Sequence, residues 1–209
     1  MGQFLAPDII FRCLGAALSV ITGKADVNKV FDFSSTGFWQ AIIGSWIIGM
    51  LLDIAPIVLA DSSLTFSMQI HLLLLYAFVP FVGILFFASA VFHVLNLTGR
   101  ADKFIRFLVP YIWVKCLAGL TVSVLALGGL VAGISWLAFA ILPAGLWFLI
   151  KLYGITRAQT SLSGAAATSI LIGDLDPYDA GSISLSRYVG HGSFIESIMF
   201  LLTQDSTRS

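Results

Sequence analysis

Long apolar runs alternate with short polar breaks along this chain, and their lengths predict four membrane-spanning helices. Ser34-Ser35-Thr36 offers hydroxyl caps immediately before an apolar run. From Gly37 to Leu52 nothing is charged, and after Asp53 the run resumes to Ala60, giving a first span. Asp61-Ser62-Ser63 then reads as a tight polar turn, and no charge follows until Arg100. A span needs about 20 residues at ~1.5 Å per residue. The second helix, over roughly 67–95, is therefore long enough to tilt or protrude, and Pro80 is expected to kink it. Gly99-Arg100-Ala101-Asp102-Lys103 forms the next loop. From Phe107 to Ile150 the only charge is Lys115. That length fits a third span over 105–126 and a fourth over 131–152, joined at Gly128-Gly129, with Gly133 as the other candidate.

The flanks follow a different pattern. Over 7–22, Ile10, Cys13, Leu14, Ala17 and Ile21 share one helical face, while Asp8, Arg12 and Ser19 fall elsewhere. Pro7 suits the first turn and Gly23 the C-cap. This helix is too short and too polar to span. Two placements are open, in the membrane interface or against the protein's own cytosolic face. Gly164 to Gly173 is apolar but too short to cross, and Asp174, Asp176 and Asp179 forbid its extension. It reads as a re-entrant or interfacial piece in preference to a fifth span. Ser193-Phe194-Ile195-Glu196 is a capping box opening a short amphipathic helix to about 203. The expected organisation is an N-terminal amphipathic segment (1–33), a four-helix transmembrane domain (34–153) and a C-terminal segment of short helices (154–209). The fold class is an all-α integral membrane protein with four transmembrane helices and amphipathic interfacial helices at both ends.

Composition agrees: 58% of residues are hydrophobic and 11% charged, where soluble domains carry about a quarter charged. Mean hydropathy is +0.98, more apolar surface than one water-soluble core of this size could hide. Eleven basic and eleven acidic residues cancel, so no basic excess points to nucleic acid. The start of the chain lacks the basic region of a secretory signal, and Ala6 stands where myristoylation wants Ser or Thr. Insertion is therefore expected to be driven by the internal helices. The basic residues assign orientation. Arg12, Lys24 and Lys29 precede the first span, Arg100, Lys103 and Arg106 lie between the second and third, and Lys151, Arg157, Arg187 and Arg208 follow the fourth. All fall on one side of a four-span topology, so both termini are expected in the cytoplasm.

Candidate chemistry is sparse. Lys115 lies mid-helix, where a charge costs ~2.5–3.5 kcal/mol on insertion scales and wants a partner or a purpose. Asp53 and His71 fall at comparable depth, so Asp53, His71 and Lys115 form a candidate polar cluster that binds or relays an ion or proton. The plainer reading places Asp53 and His71 at the outer headgroup level, with Lys115 tied to Asp53 or snorkelling. Gly119 with Ser123, Gly129 with Gly133, and Ala140 with Ala144 have helix-packing spacing, within the chain or between subunits. His93 and Asn96 read as interfacial polar residues. No phosphate-binding glycine loop, HExxH, nucleophile elbow or CxxC is present. The acidic stretch Asp174 to Asp179 fails as a calcium loop, because Asp179 stands where Gly is needed. Neither Cys13 nor Cys116 has metal-ligand spacing. No cofactor, metal or enzymatic activity is expected.

The order of parts resembles small Yip1-like polytopic proteins of Gram-negative bacteria. The likeness rests on the N-terminal amphipathic helix, Phe31-Asp32-Phe33-Ser34, Gly37-Phe38-Trp39 and Gly99-Arg100-Ala101-Asp102-Lys103-Phe104 before an aromatic helix. It covers roughly residues 8–155. Such proteins usually have five spans, and this chain lacks the fifth. The resemblance implies a membrane-organising or scaffold role and supplies no site residues. The expected function is a non-enzymatic inner-membrane accessory, assembly or organising subunit, whose partners are the lipid bilayer and other membrane subunits or itself. The alternative is a small ion or solute transporter using Asp53, His71 and Lys115.

Overall fold

The computed structural model describes residues 5–60, 66–132 and 137–174; within its helices the side chains of 53–60, 66–69, 71–73, 76–77, 127, 130–132 and 137–138 are outside the description. Two helices open the chain, α1 (Pro7–Ile21) and α2 (Val27–Val30). Four long ones follow: α3 (Ser35–Ala60), α4 (Phe66–Leu97), α5 (Phe104–Ala132) and α6 (Leu137–Thr160). A further helix, α7, occupies 164–174. Each of α3 to α6 is long and apolar enough to cross a membrane, so the chain reads as a multi-pass membrane protein.

α5 is the centre. Its residues Phe107 to Val114 are buried without interruption, because α1, α3, α4 and α6 all contact it. A helix covered on every side has no polar stripe to keep wet, which is why its sequence shows no amphipathic period. Pro80, Pro110 and Pro143 all lie inside continuous helices. Neighbouring helices and small local adjustments accommodate the missing donor in such settings. Aromatic contacts set the register. Phe104 meets Phe38 of α3 at 5.8 Å and Phe92 of α4 at 5.3 Å, which brings the start of α3, the end of α4 and the start of α5 to one end of the bundle.

Local chemistry explains most boundaries. The Asp32 carboxylate accepts from the Ser34 N–H and hydroxyl, and the Ser34 Oγ accepts from the Gly37 N–H at 3.2 Å, capping α3 as the sequence predicts. At the end of α4, Gly99 takes a φ of 69°. Its N–H donates to Asn96 and the Arg100 N–H to Leu95, at 3.0 and 2.7 Å, which is the Schellman closure.

Two expectations need correction. Gly128-Gly129 is not the turn between the third and fourth spans, because α5 continues through it to Ala132. Residues 133–136, which include the other candidate Gly133, lie outside the described residues. Glycine costs about 1 kcal/mol in a helix, but in an apolar setting an unmade backbone hydrogen bond costs more, so the helix runs on. The fourth helix does not stop near 152 but reaches Thr160. Lys151 extends over the Trp147 ring, 5.7 Å from its centroid. The buried Thr156 and Thr160 hydroxyls donate back to the Leu152 and Thr156 carbonyls at 2.8 and 2.6 Å. These two buried hydroxyls are satisfied without leaving the helix. The expected Asp61 to Ser63 turn and the helix after Ser193 lie outside the described residues.

α1 uses the face read from the sequence. Ala17 and Ile21 are buried, and Ile10, Cys13 and Leu14 pack half-buried against the same core. For that face, contact with the protein itself is what is observed. Leu5, just before α1, reaches Gly44 of α3. A Cβ at Gly44 would stand 2.9 Å from the Trp113 ring, so only glycine admits the tryptophan here. Gly44 and Trp113 each lie ~13 Å along their helices, so α1 slopes down the bundle rather than lying across its end.

Candidate functional site

The site grows from Lys115. Tyr111 precedes it by one helical turn and so shares its face of α5. Opposite them stands Asp174, the last described residue of α7. The Lys115 ammonium donates to the Asp174 Oδ1 at 2.6 Å, and the Tyr111 hydroxyl donates to Oδ2 at 2.8 Å. Asp174 is 8% exposed. Phe87 of α4 closes the cluster: its ring stacks on Tyr111 at 5.2 Å and lies 5.8 Å below the Lys115 ammonium. A lone carboxylate so buried would be strongly disfavoured. Here each oxygen has a donor and one donor carries the opposite charge, which is the condition under which a buried ion pair is tolerated.

α7 is what delivers Asp174. After Thr160 the chain reverses at Ser161, whose φ of 53° lies in the left-handed region. The α4–α5 loop holds this reversal: Arg100 Nη1 donates to the Ser161 carbonyl at 2.7 Å and Lys103 Nζ to its hydroxyl at 2.8 Å. From Lys103 to Lys115 is ~18 Å along α5, and eleven helical residues cover ~16 Å. With both ends fixed, α7 runs beside the first turns of α5 in the same direction. Its buried positions, Ala167, Ile170, Leu171 and Asp174, keep the spacing of one helical face. The cluster can therefore fasten α7 to the bundle. It also aligns a hydroxyl, a carboxylate and an ammonium through which a proton could be exchanged.

Sequence reasoning found Lys115 but neither Tyr111 nor Asp174. Asp174 appeared only as the residue that stops an apolar run. Two signals were present. Lys115 needed an acid, and the run from Gly164 to Gly173 is about as long as Lys115 is deep. Asp53 and His71 lie in α3 and α4, but their side chains are outside the described residues. Of the small residues, Gly119 is exposed with open space where a Cβ would stand. Ser123, Gly129, Ala140 and Ala144 are half-buried, and Gly133 lies outside the description. His93 and Asn96 are exposed near the end of α4. Among the described residues, no three His, Cys, Asp or Glu side chains gather within reach of one metal ion. No family model, curated protein or solved structure matches this chain.

Proposed function

We propose that the protein is a non-enzymatic accessory or organising subunit of a larger inner-membrane complex, with both termini in the cytoplasm. One observation carries this reading: Lys115, the charge set deepest in the described part of α5, is engaged by Asp174 and Tyr111 in fastening α7. A charge used this way serves to make α7 a built part of the bundle. Arg12, Lys24, Lys29, Arg100, Lys103, Arg106 and Arg157 belong to the same end of the bundle, which supports a cytoplasmic assignment for that end. The Yip1-like resemblance of residues 8–155 suggests the same organising role. The test is a native pull-down of the protein expressed at its natural level and extracted in mild detergent. A stoichiometric membrane partner, lost on Asp174→Ala, supports the proposal. Recovery of the protein alone overturns it.

A second reading is transport of an ion or proton, favoured by the alignment of Lys115, Asp174 and Tyr111. Reconstituted protein should then pass the ion across proteoliposomes, and Lys115→Met should abolish the flux without unfolding the protein. An absence of flux in the wild type removes this reading.

A further inference from the structure

A cleft of about 320 Å³ opens between α1, the α2–α3 connection and α5. Its rim carries Arg12, Lys29 and Asp32, and its floor is Val109 and the buried Trp113. The rim is exposed and polar, while the floor belongs to the apolar core of the bundle. Among the described residues, neither Arg12 nor Lys29 forms an ion pair. The one acid on the rim is already engaged, since both Asp32 carboxylate oxygens accept from Ser34 at 2.9 Å. Two cations of the rim therefore face the cleft against one occupied carboxylate.

We propose that this cleft binds the phosphate-bearing headgroup of an anionic phospholipid. Arginine suits phosphate because its planar fork donates two parallel hydrogen bonds to one group. The volume lies at the small end of ligand sites, enough for a headgroup and its glycerol. The gradient of polarity selects a lipid over a free anion: a phosphate at Arg12 and Lys29 places the ester-linked part of the molecule toward Val109 and Trp113. Phe11 and Leu18 lie on another flank of α1 and are 72% and 51% exposed. They are placed to keep that helix in contact with the bilayer that supplies the ligand. This site is separate from the Lys115 cluster and does not rest on the proposed organising role.

Native mass spectrometry of the full chain, released from nanodiscs of equal phosphatidylglycerol and phosphatidylcholine, tests the proposal. The wild type should retain phosphatidylglycerol preferentially. Removing charge-assisted bonds to a phosphate weakens binding by roughly tenfold or more. Arg12→Gln/Lys29→Gln should therefore lose the preference, while Lys24→Gln, an exposed cation outside the cleft, keeps it. Added inorganic phosphate or glycerol phosphate should not displace the lipid. Loss of the preference in Lys24→Gln as well would mean diffuse surface charge and overturn the site. Displacement by free phosphate would overturn the lipid assignment, and equal retention of both lipids by the wild type would overturn the proposal outright. Both substituted residues are exposed, and unchanged helical circular dichroism confirms that the variant folds.

Discussion

Replacing Asp174 by alanine tests the α7 tie most directly. Its carboxylate accepts one bond from an ammonium and one from a phenol, and it is 8% exposed. Hydrogen bonds to charged groups contribute about 1.5–3 kcal/mol each, so the gross loss is about 3–6 kcal/mol. Two facts reduce it. The Lys115 side chain is 37% exposed, so the ammonium can turn away and recover solvation. Polar contacts between helices in membranes average only ~0.6 kcal/mol and reach ~1.7. About 2 kcal/mol is therefore expected for Asp174→Ala, and about 1 kcal/mol for Asp174→Asn, which keeps an oxygen for one donor but loses the charge. The loss falls on the docking of α7 rather than on the whole fold, so global unfolding is the wrong assay. Hydrogen–deuterium exchange over 164–174 reads the undocked population, which 2 kcal/mol raises roughly 30-fold. Tyr111→Phe/Lys115→Met/Asp174→Leu should restore most of the protection, because apolar side chains replace the buried ion pair and no buried hydroxyl is left without its acceptor. Exchange in Asp174→Ala within about threefold of wild type would refute the reasoning. So would a triple variant showing the sum of the single losses.

Three further outcomes are expected. Gly37→Ala drives its Cβ into the Asp32 carbonyl and Gly44→Ala into the Trp113 ring, so each should lower stability in detergent by about 1–3 kcal/mol. Gly164→Ala meets only the movable Tyr153 hydroxyl, so a thermal melt should show a markedly smaller loss. Ser161→Val puts a branched side chain at a φ of 53° and removes the hydroxyl that receives Lys103. It should destabilise the α6–α7 reversal by about 1–3 kcal/mol, seen as faster exchange or proteolysis at 161–163. Burial is the main cause that raises the Cys13 thiol above its ordinary range, opposed by Arg12 and aided by Asp32. The thiolate is the reactive form, so maleimide labelling of Cys13 near pH 7.5 should be slow and should rise with pH later than for an exposed thiol. Labelling as fast as a free thiol would contradict that burial.

The sequence by itself determined the four long helices. Lipid-compatible runs of this length permit little else, since every backbone donor and acceptor must be satisfied inside the segment. It also determined the Ser34 cap and which residues share the apolar face of α1, because caps and helical periodicity depend on neighbours within one or two turns; what that face meets it left open. It placed the break between α5 and α6 wrongly at Gly128-Gly129, since local glycine propensity is weak against the need to keep backbone bonds made. Only the tertiary structure decided what Lys115 is for. The residue that answers it lies 59 positions away in sequence. It arrives through a reversal at Ser161 that loop cations hold in place, and through the eleven described residues of α7, which span Lys115's depth. The meeting of Arg12, Lys29 and Trp113 around one cleft is of the same kind. Such pairings join segments through space, and neither spacing nor periodicity along the chain records them.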